Sequence, residues 1–314
     1  MRAGGEGVVG AGGDDDVRAD RDGADGAARG RVVLITGTSS GIGLATAVAA
    51  ARAGFTTVAT LRDPARAGAL TEAAARAGVT LDIRPLDVTE PASVAACVDG
   101  VAETHGRLDA VVNNAGVSNF DPTLEMSTMD ALRANLEVNF FGVIAVSRAA
   151  LPLLRACGGR LVTIGSVHGV VGQPFNEAYC AAKFAVEGFM ESLAPVAAAH
   201  GVRVSVVVPG FVPDTEFGVF PDINRRTIEA ASGPYAPTFA DYLAWVGGQG
   251  WEAAGQPARE VAEVVVRTLR AERPAFRVPT NDWAAEYLEQ KLADPDGAAV
   301  QTLARTWIGR PDPG

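Results

Sequence analysis

The 314-residue chain is poor in sulfur, in aromatic rings and in lysine. Its three cysteines, Cys97, Cys157 and Cys180, stand at no paired spacing. That excludes a disulfide framework and points to free thiols in a reducing compartment, so a cytoplasmic location is expected. The three histidines, His105, His168 and His200, are scattered, and no metal site is expected. Positive charge is also short: 27 Lys and Arg face 37 Asp and Glu, a net charge of −10 with no basic run. Nucleic acid and anionic membrane surfaces are therefore poor partners. No stretch reads as the roughly 20 apolar residues that a bilayer crossing needs.

What the chain has is aliphatic surface. It is 48% hydrophobic with only 6% aromatic residues, so the core must be built mainly from Ala, Val and Leu. Residues 1–30 are the exception: rich in Gly, Ala and Asp, they bury too little to offset the entropy of ordering, and a disordered tail is expected. They lack the apolar centre of a signal peptide.

From residue 31 a regular alternation begins. The β-rich runs RVVLITG, TTVATL (56–61), TLDIRPLDV, LDAVVNNAG, RLVTIGS (160–166) and VRVSVVVPG are separated by helix-forming stretches, including long ones near 128–156 and 178–199. Strands alternating with helices imply right-handed βαβ units and a parallel sheet, an α/β fold of the Rossmann-type doubly wound kind. Residues 211–257 break the pattern. They carry Phe217, Phe220, Tyr235, Phe239, Tyr242, Trp245 and Trp251 with no clean period, and read as a lid over an apolar substrate. PAREVAEVVVRTLRAER (257–273) and DWAAEYLEQKLAD are further helices, with the short strand AFRVPT between them. No repeat and no linker divides 31–309, which reads as one domain, with 310–314 as an end.

The stretch TGTSSGIG (36–43) joins the first strand to the first helix. Gly37 permits the turn, Gly41 admits a pyrophosphate to the backbone, and Gly43 lets helix and strand close up. Ile42 lies between the last two glycines, where the helix N-terminus offers free N–H groups to an anion. An acidic residue at the end of the second strand would favour NAD. That place holds Leu61 followed by Arg62, a guanidinium suited to a 2′-phosphate, with Ser39 and Ser40 as further donors. NADP(H) is therefore expected over NAD(H). Asp63, adjacent, weakens the preference.

One of only two lysines, Lys183, follows Tyr179 by four residues, so the two share a helix face. An ammonium beside a phenol favours the phenolate and brings proton exchange towards neutral pH. Lysine's three donors also suit the hydroxyls of a ribose. Ser166 ends a strand at the carboxyl edge, where open α/β sheets bind ligands, and its hydroxyl can steady charge on a substrate oxygen.

With TGTSSGIG and YCAAK, the chain resembles the short-chain dehydrogenase/reductase family over about residues 31–309. Within it, ATLRDP, EVNFFG, PFNEAYCAAKFAVEGFMESLA and ADPDGAAV resemble 17β-hydroxysteroid and retinol dehydrogenases. The resemblance implies a catalytic set of Asn139, Ser166, Tyr179 and Lys183, with Asn139 holding a water against Lys183. It implies Asp87 at the adenine amino group with Val88 beside the ring, and a cofactor-lining segment containing Asn113, Ala115 and Gly116. It implies Pro209, Val212 and Thr215 around the nicotinamide amide, although Thr215 sits one residue later than the family's spacing. His168, Gln173, Phe175 and Asn176, between Ser166 and Tyr179, should line the substrate side. The implied activity is interconversion of a ketone or aldehyde and an alcohol on a bulky apolar small molecule. The helices near 128–156 and 178–199 resemble those through which the family forms dimers and tetramers. An inactive NADP(H)-binding protein is opposed by the complete catalytic set, and an epimerase or dehydratase by the glycine spacing.

Overall fold

The computed structural model describes residues 30–118, 121–215, 222–248 and 255–293. Residues 1–29, including nearly all of the expected tail, and 294–314 lie outside them, as do Phe217, Phe220 and Trp251.

Seven parallel strands form one sheet: β1 (Val32–Ile35), β2 (Thr56–Leu61), β3 (Asp82–Pro85), β4 (Ala110–Asn113), β5 (Arg160–Ile164), β6 (Arg203–Val208) and β7 (Arg277–Pro279), in the order β3-β2-β1-β4-β5-β6-β7. The strands read as continuous apolar runs because both faces are covered. In β1, Val32 and Leu34 enter one core and Val33 and Ile35 the other. The period-2 alternation thus serves two cores at once.

Helix α1 (Gly41–Arg52), α2 (Gly68–Ala77) and, late in the chain, a helix at Ala258–Arg270 cover one face through Ala47, Ala50, Leu70, Val264, Val265 and Leu269. Helix α3 (Pro91–His105), α4 (Met129–Cys157) and α5 (Glu177–Ala198) cover the other through Val94, Val98, Val146, Leu154, Val186 and Met190. The 211–257 segment, which showed no sequence period, contains two helices, α6 (Asp222–Ala231) and α7 (Ala236–Gly248). The Ala258–Arg270 helix is α8, and α9 (Asp282–Leu292) ends the described chain.

Helix α4 corrects one expectation. At 29 residues it is long and apolar enough, by length and composition, to cross a membrane. In the fold, its Val143, Val146, Ala150 and Leu154 belong to the hydrophobic core. It also contains a π turn at Glu137–Phe141, which inserts an extra residue around Asn139.

The strand order reverses between β1 and β4, so the loops after these two strands diverge and leave a crevice at the carboxyl edge.

Candidate active site

A cavity of about 660 Å³ occupies that crevice. At its centre the glycine loop is tied down from below: Thr38 donates its N–H and its hydroxyl to Thr60 O at 2.9 and 3.1 Å. Gly37 has φ +68°, and a Cβ there would lie 2.7 Å from Ala115 Cα. Gly41 has φ +54°, and its Cβ would meet Thr215 Cγ2 at 3.1 Å. A Cβ on Gly43 would overlap Gly37 O and the Asn114 amide. Ser40, at the N-cap of α1, makes no side-chain cap, and no acidic residue lies in the first turn. The helix therefore turns its uncapped N–H groups and positive end towards an anion. Ser39, Ser40 and Ile42 line this wall.

The NNAG segment is stitched to the same loop. Thr36 Oγ1 accepts the N–H groups of Asn114 and Ala115 at 3.0 and 2.9 Å, and Asn114 Nδ2 donates to Thr36 O and Gly37 O, both at 2.9 Å. Asn114, Ala115 and Gly116 line the cavity. Asn113 does not, against expectation. It ends β4, and its Nδ2 turns into the core to Ser147 Oγ at 2.9 Å and Thr163 Oγ1 at 3.4 Å. Adjacent residues along an extended chain point to opposite sides, so Asn114, not Asn113, faces the site.

At the β2 end, Leu61 and Arg62 line the cavity, joined by Arg66, which sequence reasoning missed. Asp63 is turned away: its carboxylate accepts Ala65 N–H at 2.9 Å and caps the short helical turn Pro64–Arg66. Asp87 accepts the N–H and hydroxyl of Thr89 at 3.0 and 2.7 Å. Burial works to raise its carboxyl, but these bonds and the Arg62 charge prevail and hold it below the usual value. Val88 is buried in the adjoining wall.

Ser166, Tyr179 and Lys183 meet on the opposite side, all buried and all lining the cavity. Tyr179 hydrogen-bonds Ser166, and Ser166 Oγ also accepts His168 N–H at 3.1 Å. Lys183 Nζ donates to Ile164 O at 2.8 Å and stands 5.7 Å from the Tyr179 ring centre. In the free chain, without the charge of an oxidised nicotinamide, burial dominates. Burial pushes the phenol up to about 12, against the lowering effect of the Ser166 bond. Burial also brings the Lys183 ammonium down to about 8. Two groups leaving water together each favour their neutral form.

Asn139 is fully buried in the π turn but does not line the cavity. Its Nδ2 donates to Val117 O at 2.8 Å and Asn135 Oδ1 at 2.7 Å, while its Oδ1 accepts Val117 N–H at 3.0 Å. Both side-chain donors are spent, so the side chain fixes the segment after NNAG. Val117 and Val138, unassigned from sequence, face the cavity in its place.

Pro209, Val212 and Thr215 line the wall after β6. Thr215 donates its hydroxyl to Val212 O at 2.8 Å, and this fold-back compensates for the extra residue in its spacing. On the substrate side, His168, Gln173 and Asn176 line the cavity, while Phe175 does not. Phe175 has φ +59° and packs inward against Phe239 and Tyr242, with ring centres 5.0 and 5.7 Å apart. His168 Nδ1 lies 3.2 Å from Val171 O; burial lowers the ring to about 4, against that bond, so it is neutral at pH 7. Of the described aromatics in 211–257, Tyr242 and Trp245 reach the cavity, Phe239 is buried beneath, and Tyr235 bonds Glu125 instead. Helix α9 completes the wall with Trp283, Tyr287 and Gln290. A Cβ on Gly210 would come 2.7 Å from the Trp283 ring, so glycine is what admits this helix.

A glycine loop under a helix N-terminus, facing a buried Ser–Tyr–Lys group, agrees with a family model. The short chain dehydrogenase model matches residues 31–220. The chain belongs to the short-chain dehydrogenase family. It is 36% identical over 274 residues to a bovine protein named retinol dehydrogenase 8, covering 85% of this chain and 87% of the relative. It is 39% identical over 278 residues to human 17-beta-hydroxysteroid dehydrogenase type 1, covering 86% and 84%. A metagenomic short-chain oxidoreductase solved in complex with NADP superposes with a TM-score of 0.64 at 26% identity, covering 81% of this chain and 97% of that one. The protein is thus an oxidoreductase acting on CH–OH groups, and its cofactor is a nicotinamide dinucleotide. The glycine positions that admit no Cβ and the uncapped α1 terminus fit such a group.

Proposed function

We propose that this dehydrogenase interconverts a ketone or aldehyde and an alcohol on a bulky apolar molecule, with NADP(H) and with Tyr179 as the proton-transferring group. The Tyr179–Ser166 hydrogen bond on the cavity wall carries the reading. A nicotinamide held there would supply the hydride chemistry at the substrate carbon. In reduction Tyr179, protonated by virtue of its burial, gives its proton to the developing alkoxide; in oxidation it takes the proton back. Ser166 orients the phenol and shares the charge on the substrate oxygen. Lys183 spends one of its three donors on Ile164 O, which leaves two for ribose hydroxyls.

Preference for NADP(H) is supported by Arg62 and Arg66 in the cavity wall, with Asp63 diverted to its cap. The bulky apolar substrate is supported by the wing of Tyr242, Leu243, Trp245, Val246 and Trp283. In this reading α6 and α7 form a lid on the single domain 31–309. Pairing of α4 and α5 between subunits is supported by Phe141, Phe184 and Phe189, which are 50%, 38% and 41% exposed. An NADPH-oxidation screen across steroid, retinoid and aromatic carbonyl compounds tests the activity. Turnover of at least one class is expected, and turnover that survives unchanged in Tyr179→Phe overturns the mechanism.

A further inference from the structure

The sequence has no basic run, yet the fold assembles a basic patch. At the amino edge of the sheet, opposite the cavity, Arg31 stands immediately before β1, Arg160 opens β5 and Arg203 opens β6. Side chains alternate along a strand, so Arg31 shares a face with Val33, Arg160 with Val162 and Arg203 with Val207, all in the core under α1 and α8. The three guanidinium groups therefore stand on one face, and all three residues are partly exposed. Arg160 and Arg203 are direct partners in the β5–β6 register, and like charges side by side on neighbouring strands repel. Burial and the charges of Arg31 and Arg203 hold the Arg160 guanidinium below its ordinary value.

No described residue offsets this charge. Arg160 donates to Ala271 O at the C-terminal end of α8, and Arg31 lies over the Phe55 ring at 5.7 Å. Neither contact supplies a full negative charge. Among the described residues no carboxylate pairs with Arg31, Arg160 or Arg203. Asp109, just before β4 and so between β1 and β5, is already taken by Arg107 at 2.8 and 2.6 Å and by Val32 N–H at 2.8 Å. Helices α1 and α8 end at the same edge with Arg52, Arg267 and Arg270 in their last turns, which deepens the positive field. In a chain of net charge −10, such a patch calls for an acidic partner, and the same net charge argues against a separate polyanion.

We propose that the aspartate run at residues 14–16 docks on Arg31, Arg160 and Arg203 of the same chain. These three consecutive aspartates are the densest charge in residues 1–29, which carry seven acidic residues against four arginines. Fifteen positions separate Asp16 from Arg31. A coil of that length has a root-mean-square span of about 20 Å, and the patch, three strand spacings wide, measures about 15 Å. The tether reaches without stretching and holds the aspartates at a millimolar effective concentration. Carboxylate and guanidinium pair without any folded core, which suits a segment of this composition.

Phenylglyoxal, which modifies accessible guanidinium groups, reads the contact in the full chain, with the modified sites located by mass spectrometry. The triple variant Asp14→Asn, Asp15→Asn, Asp16→Asn leaves the folded domain untouched. In it, Arg31 and Arg203 should react at least about threefold faster than in wild type at low salt. Arg133, 70% exposed on α4, should keep its rate. Wild type in about 1 M NaCl, where the screening length is about 3 Å, should match the variant. Equal rates in wild type and variant overturn the inference; if both then fall on adding inorganic phosphate, the patch belongs to a free anion instead. Protection that grows with protein concentration also overturns it, in favour of the tail of a second copy. The readout needs no turnover, so a failure here leaves the oxidoreductase reading as it stands.

Discussion

Lys183 Nζ stands 5.7 Å from the centre of the Tyr179 ring while it donates to Ile164 O at 2.8 Å. The cation is therefore held by the strand beneath it and sits over the phenol without sharing its proton. Burial takes the two groups in opposite directions, the ammonium to about 8 and the phenol to about 12. In the free chain at neutral pH the pair is still an ammonium and a neutral phenol.

The pH dependence of ketone reduction follows. Tyr179 stays protonated through the neutral and mildly alkaline range, so the first ionisation met on raising pH is that of Lys183. The expected profile of kcat/KM is flat near neutrality and falls with a midpoint near 8. A steady-state profile with no alkaline limb below 10 would remove Lys183 from that role.

The same burial makes Lys183 a burden on stability. Its folded-state value lies below the unfolded one, so between about 8 and 10.5 the unfolded chain binds more protons and stability rises with pH. Below that window the cost is present in full. Lys183→Met is expected to abolish turnover yet raise stability at pH 7 by about 1–3 kcal/mol, read by denaturant unfolding.

Tyr179→Phe removes the transferable proton and keeps the ring. The kcat is expected to fall by at least about a hundredfold, with NADPH affinity changed less than about threefold by fluorescence titration.

Arg62→Leu should raise KM for NADPH by about tenfold and leave that for NADH nearly unchanged, the loss of one charge-assisted contact to a phosphate. Ala65→Pro is the companion experiment. It removes the N–H that Asp63 caps and frees a carboxylate beside Arg62. NADPH preference should drop again, measured as the ratio of kcat/KM for the two cofactors.

Asn113→Ala separates support from binding. It removes the N–H donor that the Ser147 and Thr163 hydroxyl oxygens accept, while Ser147 keeps its bond to Val143 O, and a stability loss of about 1–3 kcal/mol is expected. KM for NADPH should stay within about twofold, since the side chain faces the core.

The strands, the glycine loop and the Ser166–Tyr179–Lys183 group were legible in the sequence because each rests on short-range spacing: period 2, a turn that needs glycine, one turn of helix. What was not legible depends on direction. Asn113 and Asn114 are identical in type, and only the pleat decides which faces the cavity. Phe175 turns inward because its backbone crosses into the left-handed region, which no neighbour announces. Asn139 is placed correctly in the chain, but its partner Val117 is 22 residues away. The α9 wall escaped notice because a helical pattern marks an apolar face without naming what it covers. Helix α7 was hidden by its Gly, Pro and aromatic residues, whose weak intrinsic preference is overruled by packing.

The π turn in α4 works as a phase shift. One added residue rotates everything beyond it by about 100° relative to a regular helix. Within the turn, Asn139 bonds the Val117 backbone behind the cavity and Asn135 Oδ1 one turn upstream; downstream, the rod aims Val143, Val146, Ala150 and Leu154 at the core. A regular helix has a single apolar stripe and cannot satisfy both bearings. The length of 137–141 is thus a setting of angle, and removing one residue there would straighten the rod while turning either the site or the core out of alignment.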